Sequence, residues 1–122
     1  MSSIDRRLHA DVLRFDLGEE ERRATHAGTL ERDGRSSRTL LKDGPLRLTL
    51  IVLAPGGGIP EHTAPGPITI QPLRGRVEVM VAGDTHSVAA GEVVSMGPGV
   101  PHAISTGEGA AFLLTVTHPP AE

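Results

Sequence analysis

Two stretches decide the fold: Gly56-Gly57-Gly58-Ile59-Pro60-Glu61-His62-Thr63-Ala64-Pro65-Gly66-Pro67-Ile68 and Gly91-Glu92-Val93-Val94-Ser95-Met96-Gly97-Pro98-Gly99-Val100-Pro101-His102-Ala103-Ile104-Ser105-Thr106. Each is a series of short apolar runs broken by glycine and proline, and each delivers one histidine at a set distance from its leading glycine. Five residues separate Gly56 from His62, and Gly91, Gly97 and Gly99 precede His102. Glycine supplies positive φ and proline presets a negative one, so these clusters mark tight turns and not helix interiors.

The same punctuation extends outward through Asp43-Gly44-Pro45, Ala82-Gly83-Asp84 and Gly107-Glu108-Gly109. Between the breaks the pattern predicts strands over 36–42, 46–54, 67–73, 75–81, 85–89, 92–96, 101–106 and 110–117. Arg76-Val77-Glu78-Val79-Met80-Val81 alternates, as a strand with one wet face does. Leu48-Thr49-Leu50-Ile51-Val52-Leu53 is almost continuously apolar, which implies cover on both faces: the core on one side and a partner on the other. Many short strands without long amphipathic helices between them define an all-β fold, an antiparallel sandwich or barrel whose closure removes exposed edges.

Toward the N-terminus the composition changes. Of the 27 charged residues (12 basic and 15 acidic), 19 lie at or before Arg47. Residues 1–34 therefore read as a charged arm on a barrel of 35–118, within one domain overall. Asp16-Leu17-Gly18-Glu19 has the form of a capping box and predicts a short helix over about 17–25. Leu13, Phe15 and Leu17 alternate with polar neighbours and suit a half-buried strand.

Composition also excludes functions. There are no cysteines, so thiolate metal sites, disulfides and cysteine nucleophiles are absent. With a net charge of −3, Phe15 and Phe112 as the only aromatics and no basic stripe, the chain offers nothing on which bases could stack or phosphates collect. No apolar run suits a signal peptide or membrane span, and a cytoplasmic setting is expected. Gly56-Gly57-Gly58 lacks the Lys-Ser/Thr of a phosphate loop, and Ser36 and Ser37 have no His and carboxylate beside them in sequence, so neither a nucleotide fold nor a hydrolase is proposed. His9, His86 and His118 read as solvated surface.

The two glycine-histidine stretches resemble the two conserved motifs of the cupin superfamily. The first motif runs Gly, five residues, His-any-His, three or four residues, Glu, six residues, Gly; here Gly56, His62 and Gly75 match, while Ala64 and Ile68 stand where the second His and the Glu belong. In the second motif the glycine frame and His102 match, while the Pro and the final Asn do not, the latter being Thr106. Leu73-Arg74-Gly75-Arg76-Val77 is similar to the hairpin usual in that family. The resemblance covers about 45–117 and implies an antiparallel double-stranded β-helix, a jelly-roll cupin barrel, that forms a homodimer and holds a small-molecule ligand inside one end.

For this chain the resemblance implies a binding pocket formed by His62, Ala64, Ile68, Ile70, Met80, Met96 and His102, with the two methionines equally readable as core filling. Catalytic residues are not assigned. Cupin metal centres use two or three His and a carboxylate, and a metal needs such donors in number. With an Ala and an Ile in two of the four positions, no resident cofactor is expected. The alternative is a divalent Fe, Mn, Ni, Zn or Cu held by His62, His102 and a non-standard ligand such as His26 or Glu61, in an oxygenase or isomerase. Without a metal, the two imidazoles could still serve as proton donor and acceptor.

Overall fold

The computed structural model describes residues 8–118. Two helices, α1 (Leu17–Thr25) and α2 (Thr29–Asp33), precede eight strands: β1 (Arg35–Asp43), β2 (Leu46–Leu53), β3 (Gly58–His62), β4 (Ile68–Val81), β5 (Asp84–Ala89), β6 (Val94–Met96), β7 (His102–Ser105) and β8 (Ala110–Thr117). All pairings are antiparallel, in the order β1-β2-β8-β4-β7-β3, with β5 and β6 also on β4. The sheet curls into an antiparallel barrel, one of the two forms that the turn spacing predicts, and of the jelly-roll type that the family resemblance implies. Among the described residues no helix is long and apolar enough to cross a membrane.

β4 is the corner of the barrel. Its first half, Ile68 to Gly75, pairs with β8 and β6; its second half, Arg76 to Val81, pairs with β5 and β7. The expected hairpin at 73–77 is therefore one continuous strand, bent at Gly75. That residue has φ +78°, and a Cβ there would lie 2.4 Å from the Gly109 carbonyl oxygen. Only glycine meets both demands, so the turn signal is real but changes the strand's sheet and not its direction.

The interior is filled by alternate residues of the strands. Ile51, Leu53, Ile68, Ile70, Val77, Val79, Val88, Ile104 and Phe112 are buried in one cluster. Phe112 lies opposite Ile51 of β2 and Pro72 of β4, with no exposed surface. The outward side of β2 is covered by the chain's own helix, where the sequence led us to expect a partner. Val52 packs in a second cluster with Ala24 of α1 and Ala111, flanked by Leu30 of α2.

Helix α1 occupies the predicted span because Asp16 Oδ1 accepts a hydrogen bond from the Glu19 amide at 3.1 Å, and because Glu19 and Glu20 begin the helix and Arg22 and Arg23 end it, matching its dipole. Glu20 pairs with Arg38 of β1, and Glu21 with Arg74 of β4 at 2.5 Å, so the helix is tied to two strands of the same half of the sheet. The strand expected at 13–17 is absent. Leu13, Phe15 and Leu17 are half-buried and alternate with exposed Arg14 and Asp16, but the segment joins no ladder. β3 was missing from the predicted strands because Gly58 and Pro60 break the propensity pattern; as an edge strand it tolerates a residue that donates no ladder hydrogen bond.

Candidate functional site

His62 ends edge strand β3 and His102 begins β7, and they are direct partners across the ladder after a register shift following Ile59. Their ring centroids are 4.2 Å apart with the planes at 61°, an edge-to-face contact. His102 is 1% exposed, whereas His62 faces solvent.

Each ring is oriented by the same local contact. His62 Nδ1 lies 2.9 Å from the Pro60 carbonyl oxygen, and His102 Nδ1 lies 2.9 Å from that of Val100, in both cases two residues upstream. A carbonyl oxygen only accepts, so each Nδ1 carries a hydrogen and donates it, which leaves Nε2 as the ring nitrogen that can meet another group. His102 Nε2 is buried and has no partner among the described residues. A buried polar atom left unpaired costs about 1–3 kcal/mol, and such costs concentrate where an external group completes the bonding.

Nδ1 held by a carbonyl with Nε2 aimed inward is also how metal-bound histidines are set. The orientation fits a metal, but the number of donors does not. Ala64 is half-buried against the core and Ile68 is 3% exposed, so the two vacated motif positions contribute hydrocarbon. Glu61 is exposed, and exposed His26 caps the C-terminal end of α1. Among the described residues no cluster of three His, Cys, Asp or Glu exists. Two nitrogens fall short of the three or four protein ligands that retain a metal, so no chemical step is derived through one.

Beside the pair lies a cavity of about 280 Å³, lined by Val79, Val81, His86, Ser95, Met96 and Val100, among others. Val100 belongs to both features, since its carbonyl fixes the His102 ring. Of the other expected pocket residues, Ile68 and Ile70 are sealed in the core. Met80 lies on the opposite face: it pairs with Thr85 and Ala103, and its sulfur is 4.0 Å from the Ser105 hydroxyl, whereas Val79 and Val81 point inward.

His86 was the residue missed. Although exposed, it pairs with Val79 and so shares the inward face of β5 with Val88, which lies two residues later and is 5% exposed. That alternation was present in Thr85-His86-Ser87-Val88 and could have revealed it.

A larger concavity, about 770 Å³, lies elsewhere, between Arg74, Arg76, Glu78, Thr106 and Glu108. Its main polar groups already have partners: Arg74 binds Glu21, Arg76 donates to the Ser87 hydroxyl, and Thr106 Oγ1 donates to the Arg76 carbonyl. We place the site at the histidines, where a buried polar atom lacks a partner.

The fold and the two-histidine site define a cupin barrel. The chain belongs to the cupin domain family, whose model matches residues 49–117, more than half of the chain. It is similar to a conserved protein of unknown function from Streptococcus pyogenes, with 34% identity over 99% of this chain and 98% of that one and a TM-score of 0.70. An RmlC-like cupin from Shewanella frigidimarina shares the fold at 21% identity, covering 73% of this chain and 78% of that one, with a TM-score of 0.65. Salicylate 1,2-dioxygenase from Pseudoaminobacter salicylatoxidans does so at 15% identity and a TM-score of 0.74, covering 84% of this chain and 32% of that one. No curated protein matches the chain.

Proposed function

We propose that this protein is a small-molecule-binding cupin barrel in which His62 and His102 accept hydrogen bonds from a ligand. The observation that carries this reading is the buried, unpartnered Nε2 of His102, held by its Nδ1 contact to Val100. A ligand hydroxyl or amine, or a water bound with it, supplies the missing donor, and apolar parts of the ligand lie in the adjoining cavity.

Long-range 15N–1H NMR, which distinguishes the two ring nitrogens, tests this directly. The expectation is Nδ1–H in both rings, and a displaced His102 Nε2 resonance together with a thermal shift when a ligand from a metabolite set binds. If His102 proves to be the Nε2–H tautomer, or no molecule moves its resonance, the reading fails.

The same ring orientation favours a second reading, a metal-dependent oxygenase or isomerase in which His62 and His102 are two of the ligands and the substrate completes the set. Elemental analysis of the purified protein separates the two. Stoichiometric metal that disappears when both histidines are replaced by Ala supports the second reading, and metal content unchanged by that replacement removes it.

A further inference from the structure

The inner face of the barrel carries a cationic corner that the histidine site does not use. One row of paired residues crosses the sheet: Lys42 of β1 lies opposite Arg47 of β2, Arg47 opposite Val116 of β8, Val116 opposite Ile68 of β4, and Ile68 opposite Met96 of β6. Paired residues share a face. Ile68 and Met96 belong to the core cluster and Val116 packs against it, so Arg47 and Lys42 stand on the inward face as well. Asp43, the nearest carboxylate in sequence, pairs with Leu46 and belongs to the other face.

Two observations leave this corner incomplete. The Lys42 amide donates to the Leu8 carbonyl and so points away from β2, which makes Lys42 and Arg47 a non-hydrogen-bonded pair, the kind whose side chains lie closer together. Like charges in direct opposition repel, yet among the described residues neither belongs to an ion pair. Arg47 Nε, moreover, is buried and has no hydrogen-bond partner among the described residues. The same is true of Nε2 of His118, whose amide donates to the Pro45 carbonyl and carries the β2–β8 ladder one residue past Thr117.

We infer that this corner binds an oxyanion, a carboxylate or a phosphate, with Arg47 as its main donor and Lys42 as the second cation. A guanidinium and an ammonium carry only N–H donors and accept nothing, so the group that completes them is an acceptor, and a negative one also cancels the repulsion between them. An imidazole or a hydroxyl meets donors and acceptors alike, whereas this pair meets acceptors alone. Lys42 is exposed and Arg47 half-buried, so a small anion reaches them from solvent while the buried Nε is sheltered from competing water. The inference concerns the β1–β2 wall and does not require a ligand at His102.

The test follows the Arg47 Nε–H resonance by 15N–1H NMR, assigned by its loss in Arg47→Met, as acetate, its neutral counterpart acetamide, or inorganic phosphate is added at constant ionic strength. Melting temperature is measured in parallel. Methionine keeps an apolar stem and removes every donor, circular dichroism checks that this variant folds, and Lys42→Gln at an exposed position supplies a second variant. The expected result is saturable movement of the resonance with acetate or phosphate and none with acetamide, and a rise in Tm with the same anion that Arg47→Met lacks. Lys42→Gln is expected to weaken the anion about two- to five-fold. A response to phosphate alone assigns a phosphate site, and a response to acetate alone a carboxylate site.

If neither anion moves the resonance, or acetamide moves it as far as acetate does, the inference is overturned. A rise in Tm that persists in Arg47→Met places the anion elsewhere and overturns it too. The His102 reading is decided by its own Nε2 resonance: a response there with none at Arg47 sinks only the present inference, and the reverse sinks only that reading.

Discussion

At His62 and His102 one local contact, an imidazole N–H donated to the carbonyl two residues upstream, operates at two depths. The exposed ring contributes little to folding, so His62→Ala is expected to change stability by less than about 0.5 kcal/mol while abolishing the thermal shift produced by a ligand. Parallel melts with and without that ligand check both halves of the expectation. The positions of these two histidines were legible in the sequence because turn glycines at set spacing deliver them to one end of the barrel. The depth of His102 was not legible, since burial depends on which strands cover the ring. Met80 was misplaced although its strand's alternation puts it with Arg76 and Glu78 on the wet face, opposite Val77, Val79 and Val81.

Among the elements, β4 and α1 each rest on one residue. Gly75→Ala places a Cβ against the Gly109 carbonyl oxygen in a backbone region unfavourable to side chains. A loss on the order of 3 kcal/mol is expected, read as a lower urea midpoint at unchanged slope. Asp16→Ala removes the side-chain acceptor at the start of α1, at a cost of about 1 kcal/mol, and amide exchange is expected to accelerate first at Glu19, whose amide it holds. The helix was legible because the capping signal is local. β3 was not, because an edge strand containing Pro60 is defined by its pairing with β7 and not by its own residues. Leu13, Phe15 and Leu17 show the opposite failure. Their periodicity correctly reported half-burial, but periodicity says nothing of pairing, and the segment joins no ladder.

For the molecule as a whole, the larger of the two apolar clusters draws residues from β2 and from every strand from β4 to β8, with Phe112 fully buried in it. Phe112→Ala is expected to cost about 3–5 kcal/mol, measurable by chemical denaturation, because the rigid surrounding strands cannot collapse into the space. The all-β class was legible from the turn spacing and the barrel from the two glycine-histidine motifs, whereas the path of β4 across two halves of the sheet was not, since it depends on the Gly75–Gly109 approach between residues distant in sequence. The placement of β8, last of the strands in sequence but between β2 and β4 in space, also sets an order of events during synthesis. While the chain is still emerging from a ribosome, the slot between those two strands stays empty and their apolar sides stay wet. The barrel can close only after Thr117 has cleared the exit tunnel, so a nascent chain stalled short of that residue would remain protease-sensitive.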